Sequence, residues 1–193
     1  MHYALKKLHF SPDRIVIFAW SIGGYSACWT AVHYPDIRGL ILDAIFDDVL
    51  PLAQRQMPSS LSKFVEKTIR TYLDLNNLQL LKLYHGPFYL IRRMKDEVMN
   101  IIPGQFQSNR ANDLLRSILP YRYPLIFNNE ELLGLLDEYL SSNKSQKRIL
   151  REKFRSYSDH LQYPIDCFRS ANHRLTYPCQ FGMSISCTHH IHR

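Results

Sequence analysis

The chain alternates between two kinds of apolar pattern. The first is a short continuous run, rich in β-branched residues and bounded by turn residues. RIVIFAW (14–20), IRGLILDAIF (37–46) and FYLIRR (88–93) are of this kind. Such runs suit strands buried on both faces of a parallel sheet. The second pattern repeats at helical spacing. It predicts helices over SACWTAVHY (26–34, closed by Pro35) and EELLGLLDEYL (130–140), and over SNRANDLLRSIL (108–119) with Ser108 or Asn109 as the N-cap. YALKKLH (3–9) reads as the end of an amphipathic helix, and YPLIF (123–127) as a fourth strand. Residues 50–85 are helical in pattern through LSKFVEKTIRTYL and LQLLKLY, a long insertion placed where a cap over a sheet would sit. REKFRSYSDHL (151–161) is the last patterned segment, read as a helix. Strand, helix and strand in succession make a βαβ unit, hence an α/β fold with a parallel sheet and flanking helices. From about 164 to 193 neither period survives, which predicts a poorly ordered tail after one domain over 1–163.

Composition narrows this picture. With 193 residues, 46% hydrophobic and 21% charged, the chain is long enough for one sizeable core and is not of disordered type. No apolar run is long enough to cross a membrane as a helix, and MHYALKKLHF is too short and polar for a secretory signal. The net charge of +7 favours anionic partners such as phospholipid headgroups. No nucleic-acid motif accompanies it, so nucleic acid is not an expected partner. Cys28, Cys167, Cys179 and Cys187 form no CxxC pair, which argues against a disulfide framework and for a reducing compartment. The ending HHIHR lacks further ligands at useful spacing, so no metal site is expected.

The candidate chemistry lies in FAWSIGGY, where an apolar strand meets a helix at Ser21. A nucleophilic serine must stand exposed on a sharp strand-to-helix turn, with small residues two before and two after it. Those positions are Ala19, where the strict pattern has glycine, and Gly23. The backbone N–H of Ile22, at the start of the helix, is the expected oxyanion donor. Serine needs a base, and the base needs a carboxylate to orient it, in the chain order serine, acid, histidine. Asp96, past the strand FYLIRR, fits the acid; Asp43, Asp47 and Asp48 compete, the last two also as helix caps. The base then lies after Asp96: His160 in SYSDHLQYP, with His173 and His189 as alternatives.

AWSIGGYSACWTAVHYPDIRGLILDAIFDDVLPLA, LDLNNLQLLKLYHGPFYLIRRMKDE and SNRANDLL resemble the α/β-hydrolase domain-containing protein 16 family, from near residue 4 to about residue 163. The resemblance implies the C-terminal part of an α/β-hydrolase fold and serine hydrolysis of acyl esters in phosphatidylserine and monoacylglycerols, without a cofactor. The partners it implies are a phospholipid or glyceride substrate and a membrane surface, in internal membranes of endoplasmic-reticulum type. It carries the nucleophile to Ser21 and the acid to Asp96, and the base, through a looser match, to His160. Only 20 residues precede Ser21, too few for the earlier strands and the second oxyanion loop of that fold. The expectation is a truncated hydrolase of weak activity. The alternative is an inactive pseudo-hydrolase or interaction fragment.

Overall fold

The computed structural model describes residues 1–93, 96–127, 129–142, 146–150 and 185–188. Four strands form one sheet in the order β1 (Val16–Trp20), β2 (Gly39–Asp43), β3 (Phe88–Arg93), β4 (Ile185–Thr188), all pairs parallel. Trp20 stands opposite Asp43, and Asp43 opposite Ile91, so the strands end together at one edge of the sheet. β2 is central and buried along nearly its whole length, as its unbroken GLILD run requires. It is shorter than the run 37–46 because Ala44 turns into the left-handed region (φ 50°) and its N–H donates to Ile91 O at 2.9 Å. β1 is the outer strand among the described residues, with Val16, Phe18 and Trp20 exposed.

The helices are α1 (His2–Lys6), α2 (Gly23–His33), α3 (Leu50–Gln56), α4 (Ser62–Tyr72), α5 (Asn77–Leu83), α6 (Arg110–Arg122), α7 (Pro124–Phe127) and α8 (Glu130–Ser141). The main core joins Ala27, Cys28 and Ala31 of α2 to Leu40, Leu42 and Leu90 of the sheet and to Leu114, Leu115 and Ile118 of α6. Side-chain caps start three helices: Asn76, Asn109 and Asn129 accept from Gln79, Ala111 and Glu131 N–H groups at 3.0, 3.0 and 2.8 Å. The 50–85 insertion is three helices, α3 to α5, rather than one. Pro58 and the segment 73–76 interrupt it.

One sequence expectation needs revision. YPLIF is not a strand: Pro124 opens α7, where its missing N–H and fixed φ fit the first helical position, and Phe127 turns into the core. A five-residue apolar run does not by itself distinguish a strand from a buried helical turn. The sheet position beside β3 is taken instead by β4, from within the 164–193 stretch that showed no period.

Candidate active site

Ser21 follows β1 directly and is one of three non-glycine residues with left-handed backbone among the described residues (φ 52°). That conformation costs a side-chain-bearing residue roughly 1–3 kcal/mol and persists only where the surroundings over-determine it. Here they do. Ser21 N–H donates to Asp43 O at 2.9 Å, fastening the turn to β2, and Ser21 O accepts from Gly24 N–H at 3.0 Å, starting α2. The result is a strained elbow that presents a half-buried serine at the C-terminal edge of the sheet. Ile22 is exposed, and no acceptor engages its N–H among the described residues.

The two small residues flanking Ser21 differ in their surroundings. Ala19 is buried in the core. A Cβ built at Gly23 meets nothing within 4 Å, whereas one at Gly24 would lie 2.6 Å from Ile45 Cγ2. The close approach of α2 to the chain leaving β2 therefore falls on Gly24, a residue the pentapeptide pattern does not single out.

The four candidate acids separate by their partners. Asp43 takes Arg93 in a two-point ion pair, Nε–Oδ1 2.9 Å and Nη2–Oδ2 2.6 Å. The same guanidinium lies 5.8 Å from the Trp20 ring centroid. The hydrogen bond to Asp43, above all, pushes Arg93 above its ordinary value, and the charges of Asp43 and Asp96 add to it. Asp47 takes Arg110 in the same two-point way; burial pushes its carboxyl up, and the hydrogen bond and charge of Arg110 oppose that. Asp48 pairs with Arg70 at 2.5 Å, and its Oδ1 accepts at 2.9 Å from the N–H of Leu50, the first residue of α3. Asp96 differs: its Oδ1 accepts from Val98 and Met99 N–H, both at 2.9 Å, and among the described residues no arginine or lysine bridges it.

The turn that carries Asp96 is held from two sides. From the cap, Arg55 Nη1 of α3 donates to the carbonyls of Glu97 (2.8 Å), Val98 (3.3 Å) and Asn100 (2.7 Å). From α6, buried Asn109 donates to Arg93 O at 3.0 Å and Asn100 Oδ1 at 2.8 Å while capping its own helix. Met99 joins Phe46 and Leu52 in a small second core beneath the cap. Sequence spacing gives no sign of Arg55, which acts across more than forty residues. His160, His173 and His189 lie outside the described residues. Among the described residues no cluster of metal-ligating side chains occurs, and no helix is long and apolar enough to cross a membrane.

Comparison with known proteins gives the chain a lineage. The chain is 38% identical over 189 residues to phosphatidylserine lipase ABHD16A of Rattus norvegicus, covering 96% of this chain and 33% of that protein. It is 47% identical over 133 residues to the Homo sapiens protein of the same name, covering 68% and 24%. It is 41% identical over 137 residues to an uncharacterized Caenorhabditis elegans protein, F37A4.1. The chain belongs to the α/β-hydrolase domain-containing protein 16 family. It spans about a quarter to a third of the length of these relatives. The match to the rat protein also extends the likeness: 96% of the chain cannot be aligned without passing residue 163, where the sequence reading stopped it. No family model and no solved structure matches the chain.

Proposed function

We propose that this chain carries the catalytic serine and acid of a serine hydrolase acting on lipid acyl esters, of phosphatidylserine or monoacylglycerol type. The observation that carries the reading is the left-handed Ser21 elbow at the end of a parallel strand, in a chain related to proteins named phosphatidylserine lipases. In the proposed reaction Ser21 Oγ attacks the ester carbonyl and passes its proton to the imidazole base. The carbonyl oxygen, now negative, accepts from the Ile22 N–H at the start of α2. The tetrahedral species collapses, the leaving alcohol takes the proton from the imidazolium, and water then releases the fatty acid by the same steps. Asp96 orients the base. Its backbone-held Oδ1 fixes the carboxylate in place, and among the described residues no cation bridges it as Arg93, Arg110 and Arg70 bridge its three competitors.

His160 is the base in this reading. β4 favours His189 as the alternative, because that residue follows Thr188, the last of a strand parallel to β3. A fluorophosphonate probe tests the whole proposal on the 193-residue chain. The expected result is covalent labelling that Ser21→Ala abolishes, and ester hydrolysis that Ser21→Ala lowers by about 10³-fold or more. His160→Ala is expected to lower hydrolysis comparably, with His189→Ala near the parent. The reverse order would move the base to His189. Absence of Ser21-dependent labelling would overturn the enzymatic reading and leave a non-catalytic interaction fragment.

A further inference from the structure

We propose that the outward side of the cap, from Met57 through α4, is a docking surface for a bilayer that carries anionic headgroups. The inference rests on the lipid-ester reading above and names where the substrate's membrane is met. Residues 57–61, between α3 and α4, are all exposed, and they lead into a helix whose one buried side chain is Val65. Met57 is 52% exposed, Leu61 45% and Phe64 68%. Leu61, Phe64 and Lys67 follow one another at three-residue spacing along one side of the helix, and Lys63 stands one turn before Lys67.

The charges decide the partner. Arg70, on the same helix, is committed to Asp48 and Asp74, both at 2.5 Å. Among the described residues no carboxylate pairs with Lys63 or Lys67. Two unpaired ammonium groups beside large exposed apolar side chains match the boundary of an anionic bilayer. There the apolar groups enter the acyl edge and the lysines stay among the headgroups. An acidic protein surface would satisfy the lysines but leave Phe64 against polar groups. The exposed apolar side chains of β1 have no such pair of lysines on their strand. The patch is firmly seated: Gln54 Nε2 donates to Ser62 Oγ at 3.0 Å, and Arg70 fastens α4 to Asp48, at the sheet end that carries the site.

Co-sedimentation of the Ser21→Ala chain with vesicles tests this without turnover. Phosphatidylcholine vesicles are compared with phosphatidylcholine vesicles that contain phosphatidylserine. Binding is expected to the second and to weaken with added salt. Lys63→Gln combined with Lys67→Gln is expected to lower it about 25-fold, at about fivefold per lysine. Phe64→Ser is expected to lower it about tenfold. Glu66→Lys, on the same exposed side, is expected to tighten binding about fivefold, a gain that misfolding cannot produce. Ester hydrolysis by the parent chain is read separately, so its failure alone removes the enzymatic reading while docking stands. Equal binding to both vesicle types, or variants that bind as the parent does, would overturn the docking surface.

Discussion

The two ends of the candidate site are built by opposite means. At the β1 end the constraint is in the backbone. Ser21 is forced into a left-handed turn, stapled by its own N–H to Asp43 O and backed by a helix that approaches within a methyl group of Ile45. At the β3 end the constraint is in side chains. Asp96 sits in a turn whose carbonyls are gathered by Arg55 and whose flanks are tied to Asn109. A strained elbow is insensitive to distant changes but intolerant of added volume. A hydrogen-bonded turn tolerates volume but depends on a few donors. The contrast makes separate predictions for each end.

The largest effect is expected at the β3 end. Asn109 is fully buried, and its carboxamide makes three hydrogen bonds: to Arg93 O, to Asn100 Oδ1 and from Ala111 N–H. Asn109→Ala removes the cap of α6, worth about 1 kcal/mol, and takes one donor each from the half-buried Arg93 carbonyl and the Asn100 amide oxygen. A loss of roughly 3 kcal/mol in denaturant unfolding is expected. Asn109→Asp would keep the cap and lose the two donors, separating the contributions. A loss under about 0.5 kcal/mol for Asn109→Ala would show that the turn is held by Arg55 alone.

At the β1 end the test is a pair of adjacent glycines. Gly24→Ala places a methyl 2.6 Å from Ile45 Cγ2 and 3.2 Å from Ile45 Cβ, and Ile45 is itself buried. Neither side has room to yield, so a loss of about 1–3 kcal/mol is expected. Gly23→Ala meets open space and is expected to stabilise by up to about 1 kcal/mol, through the lower entropy of the unfolded chain. Equal effects at the two positions would contradict the packing assigned to the start of α2.

How much of this was legible in sequence follows from the range of each interaction. The strands of the βαβ unit announce themselves locally, since VIFAW is apolar throughout and GLILD carries a charge only at its last residue. The Asn109 cap and the elbow at Ser21 are likewise local signals, read from two or three neighbouring residues. What escaped is set by contacts distant in the chain. Gly24 rather than Gly23 is the tight position because Ile45 happens to face it. Asp43, Asp47 and Asp48 look like candidate acids until Arg93, Arg110 and Arg70 arrive from 22 to 63 residues away. YPLIF looked like a strand because a five-residue apolar run carries no period long enough to tell helix from sheet, and Pro124 is what tips it.

The smallest and most selective effect is expected from Arg55, which links the cap to the turn carrying Asp96. Its guanidinium Nη1 lies within 3.3 Å of three carbonyls of residues 97–100, and those residues supply the N–H groups that hold Asp96 Oδ1. In the proposed reaction Arg55 is a positioning residue: it touches no reacting atom and would act through Asp96. Arg55→Met keeps an unbranched apolar stem and removes the donors. Hydrogen bonds from a charged donor at a half-buried site make the stability change modest, about 1–2 kcal/mol. A carboxylate freed to wander orients the imidazole less well, and kcat is expected to fall about tenfold with KM nearly unchanged. The pH profile separates this from a general loosening. In the proposed triad a carboxylate beside the imidazole would favour the imidazolium, so weakening that contact is expected to move the acidic limb of kcat/KM to lower pH. Arg55→Lys, which keeps one cationic donor, should recover part of kcat and part of that limb. A kcat that falls with no movement of the limb would mean that Arg55 supports the cap alone, and that the acid of the site is held some other way or is not Asp96.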